Sequence, residues 1–148
     1  NISAYIPSYF FNSELDKINF YREIESLENI EDLENIITDF KEINKDIPEW
    51  TTNFFSLLNL KITAAKYKVK SIKKVWINYQ IDFDSNIALE ELKDFLRLDK
   101  EVKFTVLSLC RLRSNQKNFA NPEKFIEYLT QLFKWNIWNK KIKLKIRQ

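Results

Sequence analysis

The chain is 148 residues long, 45% hydrophobic and 15% aromatic, with a formal net charge of +3. That is the length of one domain, able to bury roughly two-thirds of its unfolded surface and far too apolar to stay disordered. It has no glycine, no histidine, no methionine and a single cysteine, Cys110. Those absences exclude glycine-built phosphate loops, a histidine proton shuttle, a Ser-His-Asp triad, a disulfide framework and a cysteine zinc site.

Cys110 lies in the apolar run FTVLSLC and reads as a small buried hydrophobe rather than a nucleophile. Carboxylates are plentiful, but no spacing pairs two of them as acid and base, so neither catalysis nor a cofactor is expected of this chain. No apolar run reaches the roughly 18 residues of a membrane span and no signal peptide is visible, so a cytoplasmic setting is expected. Charge is uneven. Residues 1–60 carry 12 acids and 4 bases, whereas residues 61–148 carry 9 acids and 20 bases. Such asymmetry suits two faces with different partners, or two halves that attract one another.

Three helices are predicted first. Ser13 is placed to cap ELDKINFYREIES, in which Leu15, Ile18, Phe20, Tyr21 and Ile24 recur at helical spacing. Asn29 is placed to cap NIEDLENIITDFKEI, whose stripe is Ile30, Leu33, Ile36, Ile37 and Phe40. Its acids Glu31, Asp32, Glu34, Asp39 and Glu42 lie mostly off that stripe, and those in the first turn suit the positive end of the helix dipole. Pro48 opens a third helix as a first-turn proline, with Trp50, Phe54, Leu57, Leu58, Ile62 and Ala65 as a wide core face.

Near Tyr67 the period changes from helical to alternating. In VKSIKKVWINYQIDFD, Val75, Ile77, Tyr79, Ile81 and Phe83 share one face of an extended chain, which fits either one long strand or a hairpin turning near Asn78. A short helix, ALEELKDFLRL, then precedes EVKFTVLSLCRL, read as another strand. Asn121 and Pro122 open the last helix, EKFIEYLTQLFKW. The ending alternates Ile142, Leu144 and Ile146 with Lys141, Lys143, Lys145 and Arg147, as a charged edge strand or surface-packed tail would, or a basic tail touching nucleic acid. The order predicts one α+β domain over residues 1–148, mainly helical to residue 67 and mixed from 68, with helices packed on a small, mainly antiparallel sheet.

The order of landmarks resembles the C-terminal (TRCF) domain of bacterial transcription-repair coupling factors, the Mfd family. The residues that carry it are Ile6 and Pro7, the Tyr21–Arg22 pair, EDLENI from Glu31 to Ile36, Ile47-Pro48-Glu49, and Leu57, Leu58, Leu60, Lys61 and Ala65 in LLNLKITAAK. From Asn19 to Lys70 the match runs without a gap, and beyond Ile72 only the order of elements agrees. The chain departs from the family at Glu42-Ile43-Asn44-Lys45, where the family has Asp-Arg-Phe-Gly, and at Lys68, where it has a second glycine. A non-glycine residue costs on the order of 1 kcal/mol in a left-handed cap; Asn44 is the natural residue to carry the first turn, shifted by one position.

The resemblance implies that this is a regulatory fragment of a longer protein, preceded by an ATP-dependent DNA translocase. The parent would displace RNA polymerase stalled at damage and recruit the excision-repair protein UvrA. The domain itself would pack on the parent's UvrB-like module and mask its UvrA-binding surface, which is basic in the family. Asp39 and Glu42 occupy positions where the family places acidic contacts to that module, three residues apart and so on one helix side. Glu31, Asp32 and Glu34 extend the acidic face. Phe40 or Trp50 would anchor such a contact if exposed, although burial in the domain's own core is the expected state. The alternative reading is a nucleic-acid-binding accessory domain that uses KYKVKSIKK and Lys141, Lys143, Lys145 and Arg147, with Trp135 and Trp138 as stacking platforms.

Overall fold

The computed structural model describes the backbone of residues 4–147 and, except at residues 115, 116 and 135–147, their side chains. The fold is α+β. Its elements run α1 (Glu14–Glu25), α2 (Ile30–Ile43), α3 (Glu49–Ala65), β1 (Val69–Val75), β2 (Asn78–Phe83), α4 (Leu89–Leu98), β3 (Thr105–Ser108), β4 (Arg111–Asn115) and α5 (Pro122–Arg147). The chain divides into two compact units, with the break between Ile62 and Thr63.

The first unit is helical, and local chemistry sets its boundaries. Ser13 accepts the Asp16 amide at 3.1 Å and Asn29 accepts the Glu31 amide at 2.8 Å, so both caps are as the sequence predicts. Pro48 stands one residue before α3, where its carbonyl accepts the amides of Thr51 and Thr52. The core gathers Ile6, Ile24, Leu33, Phe40, Phe55, Leu58 and Ile62. Phe40 meets Phe10 and Phe55 edge-on at 5.2 and 5.5 Å, the geometry the ring quadrupoles favour.

The extended opening is held at Tyr5 and Ile6. Tyr5 donates its amide to the Trp50 carbonyl and its own carbonyl accepts the Thr51 hydroxyl, while the Tyr21 phenol oxygen accepts the Ile6 amide at 2.7 Å. Ile6 and Tyr21, two landmarks of the family resemblance, are therefore hydrogen-bond partners. Helix α1 departs from its predicted stripe: Leu15 and Ile18 are exposed, and the face that packs runs through Phe20, Tyr21 and Ile24. Helix α3 likewise buries Thr51, Phe55, Leu58 and Ile62, leaving Trp50 and Ala65 outside.

In the second unit the four strands form an antiparallel sheet in the order β1-β2-β4-β3. The hairpin alternative is the correct one: β1 and β2 turn through Trp76–Ile77, with Val75 paired to Asn78. The segment read as one later strand is a second hairpin, β3–β4, turning at Leu109–Cys110. Cys110 is consequently half-buried in a turn rather than in the core, and its carbonyl accepts the Phe83 amide at 2.8 Å. Tyr79, Ile81, Phe83, Leu112 and Ser114 are buried on one sheet face. Phe83 meets Phe95 of α4, and Tyr79 stacks on Phe125 of α5 with centroids 4.1 Å apart.

Asn121 caps α5 through its side-chain oxygen, 2.9 Å from the Lys124 amide, and Pro122 is the first helical residue as predicted. The predicted edge strand or tail at the C-terminus is instead the last part of α5, helical through Arg147. No glycine or second proline interrupts the run, and Lys, Leu, Ile and Arg all extend a helix once it is nucleated.

Without glycine, four ordinary residues take left-handed backbone: Asp46, Lys68, Trp76 and Val102. Lys68, at φ 59°, stands where the family's second glycine falls. At the first departure the expectation fails by two residues. Asn44 is extended at φ −115°, its side-chain amide donating to the Phe40 carbonyl, and Asp46 carries the positive φ. Aspartate tolerates this region because its short polar side chain can bond locally.

Candidate protein interface on helix α2

Helix α2 buries Leu33 and Phe40 and half-buries Ile30, Ile36 and Ile37. At about 100° per residue, Glu31, Asp32, Glu34, Asp39 and Glu42 fall on the opposite arc, and all five are exposed. Among the described residues none of the five is paired with a cation. The structure therefore brings the sequence-predicted acids together as one solvated face.

The two ends of this face differ in energy. Glu31 and Asp32 stand in the first turn, where the helix dipole favours a negative charge. Glu42 stands in the last turn, where the dipole opposes it by about 0.3–1 kcal/mol, and Asp39 three residues earlier repels it. Beside this pair lies a residue that the sequence reading did not select. Ile43 follows Asp39 by four positions on the same helix side and is 80% exposed. Its distance from Phe40 and Ile36 makes it look like one more stripe residue, but as the last residue of α2 it overhangs the core. The anchors named from sequence stand otherwise. Phe40 is buried, while Trp50 is partly exposed and stacked on Tyr5 at 5.9 Å.

The basic half has its own focus. Lys70, Lys73 and Lys74 of β1 are exposed. On the sheet face away from the helices, Asp82 accepts from Arg111 at 2.6 Å and from Gln80 at 3.1 Å, with the Lys73 ammonium at 3.7 Å. Burial alone would raise the Asp82 carboxyl, but the hydrogen bonds from Arg111 and Gln80 and the charges of Arg111 and Lys73 outweigh it and hold it below the usual carboxylate range. The same partner raises Arg111. The side chains of Lys141, Lys143, Lys145, Arg147, Trp135 and Trp138 lie outside the described residues.

Two further features belong to stability. Asp99, buried after α4, accepts the amides of Lys103 and Phe104 at 2.9 Å each and the Tyr128 hydroxyl. Burial, reinforced by the Asp99 hydrogen bond and charge, raises the Tyr128 phenol, and burial pushes Tyr67 up to about 12. Among the described residues no group of His, Cys, Asp or Glu is arranged to hold a metal, and no helix is long and apolar enough to cross a membrane.

A comparison with curated proteins finds no match. A solved structure, the crystal structure of the C-terminal domain of a transcription-repair coupling factor, is similar in fold. It matches with a TM-score of 0.77 at 16% identity, covering 94% of this chain and 89% of that one. The sequence model of the TRCF domain family matches residues 1–94, more than half of the chain and including the whole acidic helix. On that match the chain belongs to the TRCF domain family.

Proposed function

We propose that this domain is a non-catalytic latch. It packs through the acidic face of α2 on the UvrB-like module of its parent protein and masks the surface that UvrA would bind. The parent is an ATP-dependent DNA translocase that displaces stalled RNA polymerase in the cytoplasm, and remodelling on DNA releases the latch. The observation that carries the reading is the Asp39–Glu42–Ile43 end of α2. There, two unpaired acids repel one another, the helix dipole also opposes Glu42, and an exposed isoleucine stands beside them. A basic partner surface removes both penalties at once.

Energetics divide the roles. Taking a latch from 1% to 99% open requires roughly 5.5 kcal/mol of differential contact energy. Each rim charge pair contributes about 0.2–1 kcal/mol, so the five acids chiefly orient the contact and speed its formation. Burying Ile43 against the partner contributes about 2 kcal/mol. The test is a titration of the 148-residue chain against the UvrB-like module, with Asp39→Lys/Glu42→Lys in parallel. Saturable binding that the double reversal weakens supports the latch; binding insensitive to it removes α2 from the contact.

A further inference from the structure

The outer face of the sheet carries an arrangement that the latch does not use. By register that face carries three cations, Lys73, Arg111 and Arg113, against a single acid, Asp82, while Lys74 pairs with Tyr79 on the opposite face. That acid is shared by Arg111, Lys73, Gln80 and Ser71, so it holds two of the cations in place and cancels one unit of charge, leaving the face net positive. Arg113 has no acidic partner among the described residues.

The register sets the positions. Lys73, Gln80 and Arg113 are paired across β1, β2 and β4 and form one row; Ser71, Asp82 and Arg111 form the next. Rows two residues apart along a strand are separated by about 6.8 Å, and β1 and β4 lie about 10 Å apart across β2. Beyond the first row, at the end of the β1–β2 hairpin, stands Trp76, 90% exposed and flanked by exposed Val75 and Ile77. Its left-handed backbone is no sign by itself, since Asp46, Lys68 and Val102 share it in this glycine-free chain. What sets Trp76 apart is a large ring held in solvent at the end of a cationic track.

We propose that this face and the Trp76 tip bind single-stranded nucleic acid, with phosphates along Lys73, Arg113 and Arg111 and an unpaired base stacked on the Trp76 indole. Alternating cations on a pleated face follow a polyanion, and a solvent-held indole offers a surface that every base can stack on. An acidic protein segment would use the charges and leave the ring without a matching partner. The surface belongs to the second unit, so it stands or falls independently of the α2 latch.

The test is fluorescence anisotropy of a labelled oligothymidylate with the 148-residue chain at several salt concentrations, alongside the matching duplex and an oligoglutamate of equal charge. Trp76→Ala is expected to weaken oligothymidylate binding about tenfold and Trp76→Phe to restore most of it. Lys73→Glu/Arg113→Glu should lower the slope of log K against log salt by about 1.4, the loss of two phosphate contacts. Circular dichroism of each variant identifies any loss that comes from unfolding, and Trp76→Phe carries the stacking test if Trp76→Ala unfolds. Four results would overturn the proposal: no binding at low salt, binding unaffected by these substitutions, tighter binding of the duplex, or equal binding of oligoglutamate.

Discussion

Glu42→Lys separates the latch from ordinary surface chemistry because it should move stability and binding in opposite directions. In the isolated domain the substitution places a cation in the last turn of α2, where the dipole favours it by about 0.3–1 kcal/mol. It also replaces the Asp39–Glu42 repulsion by an attraction at i,i+3, a change of about 0.4–1 kcal/mol across the two states. Glu42 is exposed and has no ion-pair partner among the described residues that the change would break. A net gain of about 1 kcal/mol follows, which for a chain of this size raises Tm by about 2–4 °C. Against a basic partner the same lysine converts one attraction into one repulsion, costing about 0.4–2 kcal/mol, or a roughly two- to thirtyfold weaker Kd. Thermal unfolding of the free chain and a binding titration of the same sample read the two effects. A drop in Tm would refute the dipole argument, and an unchanged Kd would refute the placing of the partner.

Three other predictions concern the fold. Asp99→Ala leaves the Lys103 and Phe104 amides and the Tyr128 hydroxyl without their acceptor; a loss of about 3 kcal/mol is expected, read as a lower urea midpoint. Val102, a β-branched residue at φ 51° and 78% exposed, should give way to glycine with a gain of about 1 kcal/mol in the same assay. Tyr67 and Tyr128 are both raised in the folded chain, so the unfolded chain loses those protons first. Stability is therefore intact below pH 10 and declines as pH rises toward about 12, the value for Tyr67, with phenolate absorbance of the native chain lagging that of the unfolded chain. Coincident absorbance curves would contradict this.

The parts of the fold written in local chemistry were legible. Ser13, Asn29 and Asn121 announce their helices because a cap is a contact between residues two or three apart. The turns were not, because in a glycine-free chain they carry no turn residues. Trp76–Ile77 and Leu109–Cys110 are apolar, so the second hairpin read as one strand and Cys110 as core. Alternation misled again at the C-terminus, where Ile142, Leu144 and Ile146 have strand spacing but continue a long helix. Of the candidate interface, spacing put the acids of α2 off the apolar stripe, and only the family resemblance singled out Asp39 and Glu42. Ile43 was not legible, since its position matches the buried stripe and only the end of the helix puts it in solvent. The Arg111–Asp82 contact depends on strand register, which no pattern within either segment encodes.

The most direct test of the latch is competition. The 148-residue chain is bound to the labelled UvrB-like module of its parent, and UvrA is added at increasing concentration. Masking predicts mutual exclusion: the chain is displaced as UvrA binds, and the apparent affinity for UvrA falls in proportion to the chain present. A ternary complex, with both partners bound and neither affinity changed, would contradict it.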